Sequence, residues 1–312
     1  RRSFSELTRR ASPSPVQAWA DQAEPLSDPL LIIIEDVTGS GKTEAAHIIV
    51  HRLLVGGGAA GAYWAMPTQA TANAMFDRQR SLIRRLFASG SNETPSLVLA
   101  HGQARLHEGF RRSVLGASET SVASAGERGE TEEDLASEIA CPAFLADDRR
   151  AGFLADVGAG TVDQALLGVV PSKFNTMRLM GLSEKVLVVD EAHAYDAFTR
   201  VELETLLKFQ AALGGSAVVL SATLTANQRQ RFVDAWHDGA GLRRPGDVSP
   251  AITVDDASHV PYPLVTVCSA RARETQTVPL AAPAHVSREV PVRLIHDTAE
   301  AMGLLRECAQ AG

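Results

Sequence analysis

A short glycine-rich segment carries the residue types that binding of a phosphate group requires. It is Thr38–Thr43, TGSGKT. Its glycines would let the backbone fold tightly enough for several N–H groups to converge on a phosphate at a helix N-terminus. Lys42 would then reach the β- and γ-phosphates of a nucleotide, and the Thr43 hydroxyl would ligate Mg²⁺. The segment therefore predicts a phosphate-binding loop.

The residues on both sides of this loop predict the elements that would position it. Leu30–Ile34 is a continuous apolar run rich in β-branched residues, which favours a strand buried on both faces. After the loop, apolar residues from Ala45 to Leu54 recur at helical spacing. The strict pattern GxxxxGK[ST] is not met, because Asp36 stands at its first glycine. The other interpretation, a turn followed by a solvated lysine, does not account for the flanking strand and helix.

A second segment supplies the acidic groups that a phosphate-binding loop needs as partners. Asp190-Glu191-Ala192-His193 directly follows the apolar run 185–189. Asp190 would hold Mg²⁺, directly or through water, since this ion prefers oxygen ligands. Glu191 would orient and deprotonate an attacking water, because phosphoryl transfer depends on positioning and charge stabilisation. Read alone, the segment could also be a solvated loop.

The next predicted strand, Ala217–Leu220, ends in Ser221-Ala222-Thr223. His193 would contact Ser221 and Thr223, and this contact would connect the state of the nucleotide to nucleic-acid contacts. All of these segments follow predicted strands at their carboxyl ends, which is where open α/β sheets bind ligands.

Composition limits the class of protein and the kind of partner. The chain has 312 residues, is 45% hydrophobic and 21% charged, and carries a formal net charge of −7. These values indicate a globular protein of about two domains, in which any nucleic-acid contact must be local. Three widely spaced cysteines predict neither a zinc site nor disulfides, which favours a cytoplasmic location. No apolar run reaches transmembrane length, so no membrane partner is expected.

Strands alternate with helices along most of the chain, which predicts an α/β fold with a mostly parallel, helix-covered sheet. We expect a first domain over 1–240, a linker over 241–261, and the incomplete start of a second domain over 262–312. Within the first domain, residues 112–140 are small, polar and acidic and predict a poorly ordered insertion. Because the chain begins with Arg1 rather than Met, we expect it to be a piece of a longer polypeptide.

These motifs, in this order, resemble those of superfamily 2 helicases. Motif I corresponds to Thr38–Thr43, motif II to Asp190–His193 and motif III to Ser221–Thr223. Two longer segments, 66–75 (MPTQATANAM) and 154–166 (LADVGAGTVDQAL), together with 189–196 (VDEAHAYD), are similar to the CRISPR-associated helicase–nuclease of type I interference systems. The resemblance is close over residues 10–235 and looser to the end of the chain.

The resemblance implies a RecA-like P-loop domain followed by the start of a second one, with ATP and Mg²⁺ as cofactors. It implies catalytic roles for Lys42, Glu191 and His193. The implied ATP-binding residues are Gln17, Thr38, Gly39, Ser40, Gly41, Lys42 and Thr43, with Gln17 reading adenine. The implied contacts to single-stranded DNA are Pro67, Thr68, Gln69, Gly160, Thr161, Asp163 and Gln164. For the last set, the competing interpretation is that these residues are ordinary caps and turns.

The resemblance also implies partners outside this chain. They are the RNA-guided Cascade complex and the rest of the polypeptide, with its HD nuclease domain and second RecA-like lobe. No QxxGRxxR segment occurs here, so the arginine finger of the second lobe is absent. We therefore expect an ATP hydrolase and DNA helicase motor that is weak or inactive as this chain alone. The alternatives are a superfamily 2 DNA or RNA helicase outside CRISPR immunity, and a non-catalytic nucleotide-binding docking module.

Overall fold

The structure is a computed structural model that describes residues 1–24, 26–87, 95–119, 151–243, 261–281, 295 and 297–310. The chain divides into two compact units, residues 1–281 and residues 282–312. Most of the described residues of the second unit form one helix, α10 (Thr298–Gln310). All the motifs lie in the first unit.

One eight-stranded sheet organises the first unit. Its strands are β1 (Leu30–Glu35), β2 (Gly61–Met66), β3 (Leu97–Ala100), β4 (Val157–Thr161), β5 (Lys185–Val189), β6 (Ser216–Ser221), β7 (Leu264–Ser269) and β8 (Thr275–Pro279). Their spatial order is β3-β4-β2-β5-β6-β1-β7-β8. The first six are parallel, whereas β7 and β8 are antiparallel. The predicted α/β class with a mostly parallel sheet is therefore confirmed.

Helices cover both faces of this sheet. They are α1 (Phe4–Thr8), α2 (Pro15–Gln22), α3 (Lys42–Gly56), α4 (Gln69–Leu86), α5 (Glu108–Glu119), α6 (Val162–Leu166), α7 (Asn175–Leu182), α8 (Ala197–Ala212) and α9 (Ala226–Gly239). Among the described residues, no helix combines the length and the apolar character that crossing a membrane requires.

Strand β1 shows why the central strands read as unbroken apolar runs. Successive side chains of a strand point to opposite faces of the sheet. Ile32 and Ile34 belong to the core beneath α3 and α4, while Leu31 and Ile33 belong to the core beneath α8 and α9. All four are fully or almost fully buried. A strand covered on both faces therefore has no polar alternation, and its carboxyl end is the first place where polar side chains can appear.

Two boundaries differ from the sequence prediction. Residues 262–281, expected to open a second domain, include β7, which pairs with β1 in the first sheet. Mostly parallel sheets often carry antiparallel strands along one side, here β7 and β8, and strand periodicity does not reveal which sheet a strand joins. Residues 112–119, expected to begin the poorly ordered insertion, belong to α5. The rest of that insertion, and most of the expected linker 241–261, lie outside the described residues. That the end of the chain, predicted over 262–312, begins a second lobe stays a prediction.

Candidate active site

The phosphate-loop segment connects β1 to α3 as the sequence predicts. Gly39 and Gly41 have φ of +81° and +94°, a backbone region that favours glycine. Helix α3 begins at Lys42, whose Nζ donates to the backbone oxygens of Asp36 at 2.7 Å and Val37 at 2.8 Å. Lys42 thus lies folded against the loop that it would leave to reach a phosphate.

Burial lowers the pKa of Lys42, and three carboxylates, those of Glu191, Asp36 and Asp190, oppose this shift. The lysine of motif I and the acidic pair of motif II are therefore close enough to interact electrostatically. The structure thus brings together two segments that lie about 150 residues apart in the chain.

Asp36, which stands where the strict pattern has glycine, is only 1% exposed. Its Oδ1 accepts a hydrogen bond from the Val37 N–H at 2.8 Å, and its own N–H donates to the Ser221 backbone oxygen at 3.2 Å. The side chain therefore caps its own loop backbone, and the main chain links motif I to motif III.

Gln17 lies at the loop, 3% exposed, on helix α2. Its Nε2 donates to the Gly41 backbone oxygen at 3.2 Å, and its Oε1 accepts from the Ser14 N–H at 2.9 Å. A Cβ on Gly41 would lie 1.9 Å from Nε2. Gln17 thus contacts the phosphate loop itself, while its adenine-reading role stays a prediction.

One polar atom in the loop is buried without a partner. The Ser40 hydroxyl oxygen has no hydrogen-bond partner among the described residues. A buried hydroxyl normally has one, so this atom fits a loop that closes around an anionic ligand. A nucleoside triphosphate with Mg²⁺ requires a tightly folded glycine loop, a hydroxyl such as that of Thr43, and nearby carboxylates, and all of these are present here. These residues therefore fit the predicted nucleotide and metal.

Motif II begins where β5 ends. The Asp190 N–H still donates to the Ala65 backbone oxygen of β2 at 3.1 Å, and its backbone oxygen accepts from the Tyr195 hydroxyl at 2.7 Å. Its Oδ1 accepts from the Glu191 N–H at 2.9 Å, which leaves Oδ2 for another ligand. Burial, with the neighbouring Glu191 carboxylate, raises the pKa of Asp190. A bound cation would offset the cost of burying this carboxylate in its charged form.

Glu191 and His193 connect motif II to motif III. Glu191 has φ of +52°, which lets the chain turn sharply after Asp190. The Nδ1 of His193 accepts from the Ala222 N–H at 3.2 Å and lies 3.4 Å from the Ser221 hydroxyl and 3.3 Å from Glu191 Oε2. The Ser221 hydroxyl also donates to the Thr223 backbone oxygen at 3.1 Å. One imidazole nitrogen thus lies between the carboxylate of Glu191, which is predicted to orient water, and the motif III residues.

A buried ion pair next to the loop escaped the sequence analysis. Arg229 of α9 donates to both carboxylate oxygens of Glu35, at 2.5 and 3.1 Å. Glu35 is 2% exposed and is the last residue of β1. Helix α9 follows motif III directly, so this pair fastens the segment after motif III to the strand before motif I. The 194 residues between the partners left no local sequence signal for it.

The segments predicted to contact DNA lie at two other neighbouring strand ends. Strands β2 and β4 are adjacent, and Met66 is in register with Thr161. Thr68 and Gln69 are exposed, and the Thr68 Oγ1 caps α4 by accepting from the Thr71 N–H at 3.2 Å. Of the other predicted DNA contacts, Asp163 is exposed and Pro67 and Gln164 are half-buried. Gly160 and Thr161 are buried.

Gly160 has a packing role of its own. A Cβ there would lie 2.2 Å from the Tyr63 hydroxyl oxygen and 2.3 Å from the Ala100 backbone oxygen. Its glycine is therefore required by the close approach of β4 to its neighbours, independently of any DNA. DNA contact by these seven residues stays a prediction.

The parallel strands, the phosphate loop and the acidic segment together define a RecA-like P-loop lobe. No protein-family model matches the chain. The CRISPR-associated endonuclease/helicase Cas3 of Thermus thermophilus is 43% identical over 208 residues, which are 67% of this chain and 21% of that protein. The corresponding Escherichia coli protein is 39% identical over 208 residues, 67% of this chain and 22% of that protein.

Solved structures agree with these relatives. The crystal structure of T. fusca Cas3 with ATP matches 99% of this chain and 33% of that chain, with a TM-score of 0.73 and 30% identity. A CRISPR RNA-guided surveillance complex in a pre-nicking state matches 93% of this chain and 29% of the matched chain, with a TM-score of 0.58 and 27% identity. The chain therefore belongs to the CRISPR-associated Cas3 helicase–nuclease family, and it spans about a fifth of the length of the curated relatives that it matches.

Proposed function

We propose that this chain is the first lobe of an ATP-driven motor that moves along single-stranded DNA in CRISPR type I interference. The observation that carries the proposal is the convergence of three motifs at the adjacent strands β5, β6 and β1. Their groups lie close together: Lys42 is within electrostatic range of Asp190 and Glu191, and His193 lies 3.4 Å from the Ser221 hydroxyl. Relatives that share this lobe are helicase–nucleases by name.

In this proposal the loop residues Thr38–Thr43 hold the phosphates of ATP through backbone N–H groups and the Lys42 ammonium. Thr43 and Asp190 hold Mg²⁺, whose charge offsets the negative charge that develops on the phosphates. Glu191 holds the attacking water and accepts its proton. A T. fusca relative was solved with ATP, which supports this nucleotide.

DNA binds, in this proposal, at the other half of the same sheet edge. The backbone N–H groups and hydroxyls after β2 and β4 hold phosphates without reading the sequence. Strand β2 lies directly beside β5, so motif II is next to the nearest DNA segment. On the other side of β5, the contact of His193 with Ser221 and Ala222 joins motif II to motif III.

The partners that we propose are the Cascade complex and the remainder of a longer helicase–nuclease polypeptide. A likeness to a chain in an RNA-guided surveillance complex supports the first. The length of the relatives supports the second. Since motif residues of a second lobe do not occur in this sequence, we expect this chain to bind ATP but to hydrolyse it slowly.

The test separates binding from turnover. Binding of a fluorescent ATP analogue and release of phosphate are measured with Mg²⁺, with and without single-stranded DNA. Lys42→Ala should abolish binding, whereas Lys208→Ala, which changes a half-exposed lysine of α8, should not. Glu191→Gln should spare binding and remove any residual hydrolysis. Equal binding by both lysine variants would refute the nucleotide site, and undiminished function of a Glu191→Gln motor would favour a docking module.

A further inference from the structure

Six arginines line one groove on the surface of the first unit. The groove has a volume of about 800 Å³ and lies among α1, α3 and α4. Its arginines are Arg9, Arg10, Arg78, Arg80, Arg84 and Arg85, against two carboxylates, Glu44 and Asp77. In a chain with a formal net charge of −7, this is a strong local concentration of positive charge.

The groove is built from two parts of the chain. On α4, positions 77, 78, 81, 84 and 85 recur at helical spacing and so share one face. Arg85 Nη1 donates to the Leu7 backbone oxygen at 3.0 Å, which holds α1 against α4. Arg9 then ends α1 with φ of +58°, and the next residue, Arg10, reaches Glu44 at 3.4 Å.

The charges of the groove remain accessible. The side chains of Arg10 and Arg78 are 60% and 42% exposed, and both lie within 4 Å of Glu44, at 3.4 and 3.6 Å. One carboxylate shared by two guanidinium groups orients them without neutralising both. Guanidinium groups held in this way match phosphate oxygens, to which they donate paired hydrogen bonds.

A second depression connects this groove to the predicted DNA contacts. It is lined by Gln69, Asn73 and Gln103 among others, and it shares Asp77 and Arg80 with the arginine groove. The two depressions follow α4, whose 18 residues extend about 27 Å. One end of this path is the predicted DNA contact Gln69, and the other end is basic.

We propose that the arginine groove binds the phosphate backbone of single-stranded DNA, as an extension of the path that begins at Gln69. This inference rests on the proposed DNA-binding function and adds a separate set of contacts to it. A nucleic-acid strand offers evenly spaced phosphates along such a path, and binding of this kind is independent of base sequence. An acidic peptide could bind the arginines of the groove, but it does not carry the evenly spaced phosphates that would continue along the path to Gln69.

The test uses the 312-residue chain and a fluorescently labelled oligothymidine, with affinity measured by anisotropy over a range of salt concentrations. The groove variant is Arg10→Gln with Arg78→Gln and Arg84→Gln. Its matched control is Arg231→Gln with Arg271→Gln and Arg273→Gln, three exposed arginines that do not line the groove. Thermal unfolding of both variants checks that the fold is kept.

The groove variant should bind the oligonucleotide about tenfold more weakly or worse. It should also reduce the slope of log affinity against log salt by about 2, since each lost phosphate contact contributes about 0.7 for single strands. The control should change neither quantity. If the groove variant matches the wild-type chain while Thr68→Ala weakens binding, the inference fails and the proposed DNA-binding function stands.

Two further outcomes would also overturn the inference. If the wild-type chain does not bind the oligonucleotide at low salt, the proposed DNA-binding function fails, and the inference fails with it. If only the groove variant loses affinity for a polyglutamate peptide, while its DNA affinity is unchanged, the groove is a site for an acidic protein segment.

Discussion

Replacement of Gly41 by alanine tests the packing of Gln17 against the phosphate loop. The substitution meets two separate obstacles. The backbone of Gly41 has φ of +94°, where a side chain is strained. The new Cβ would also lie 1.9 Å from Gln17 Nε2, the atom that donates to the Gly41 backbone oxygen. Gln17 would therefore have to leave the loop.

The two obstacles can be given separate magnitudes. A non-glycine residue in the left-handed region costs roughly 1–2 kcal/mol. The lost hydrogen bond of Gln17 costs about 1 kcal/mol more. Gly41→Ala should therefore lower the free energy of unfolding by roughly 2–3 kcal/mol. Gly57→Ala is the matched control, because Gly57 has φ of +76° and no atom within 4 Å of the new Cβ. The free energy of unfolding of this control should fall only by the roughly 1–2 kcal/mol that the backbone strain costs.

The assay is urea unfolding followed by tryptophan fluorescence, which the fully buried Trp64 and Trp236 should report. Gly41→Ala is measured alone and in a Gln17→Ala background. Because Gln17→Ala has already lost the hydrogen bond and removed the clash, the second substitution should then cost no more than Gly57→Ala. Equal costs of Gly41→Ala in both backgrounds would show that Gln17 does not pack against the loop.

Three other predictions address the ion pair, a buried lysine and the helix caps. Arg229→Met should destabilise the chain by about 3–5 kcal/mol in urea unfolding, because Glu35 stays buried without its partner. The double variant with Glu35→Leu should recover most of this loss. If the losses of the two single variants simply add in the double variant, the pairing is contradicted. Burial lowers the pKa of Lys185 to about 8, from 10.5 in the unfolded chain. Between these pH values the unfolded state binds more protons, so Lys185 should make the free energy of unfolding rise with pH. The Lys185→Met variant should lose this rise, and identical pH profiles of the two proteins would refute the prediction. Thr68→Ala and Thr225→Ala each remove a cap bond of 3.2 Å and should each cost about 1 kcal/mol, but only Thr68→Ala should weaken binding of single-stranded DNA in an anisotropy assay.

Local patterns predicted the elements that carry the motifs. The phosphate loop, the acidic segment and the Ser-Ala-Thr segment each follow an apolar run that cannot be solvated, so the strand and its polar end are both visible in a few residues. The parallel sheet then brings these ends to one edge. Convergence of Lys42 with Asp190 and Glu191 was therefore predictable from the fold class, without knowledge of any distance.

Contacts between distant segments were not predictable in this way. The arginines of α4 have the spacing of an ordinary solvated helix face, and nothing in residues 69–86 indicates that Arg10 completes a groove with them. Glu35 likewise looks like the polar end of a strand until Arg229 is placed beside it. Residues 112–119 belong to α5 and help to cover the core, since Ser113 is buried and Val114 packs against the apolar cluster beneath α3 and α4. The small and polar composition of 112–140 as a whole concealed this part of the segment.

The strand β7 changes where the first lobe ends and what lies near its site. Its first residue, Leu264, pairs with Glu35, so the chain enters β7 at the edge of the sheet that carries the motifs. Just before it, the Tyr262 hydroxyl donates to the Ala222 backbone oxygen at 2.9 Å. Burial, together with the charges of Asp36 and Glu35, raises the pKa of this hydroxyl. Residues 262–281, the first part of the segment predicted to form a second domain, thus add two strands to the first sheet and one hydrogen bond to motif III. The first compact unit ends only after β8.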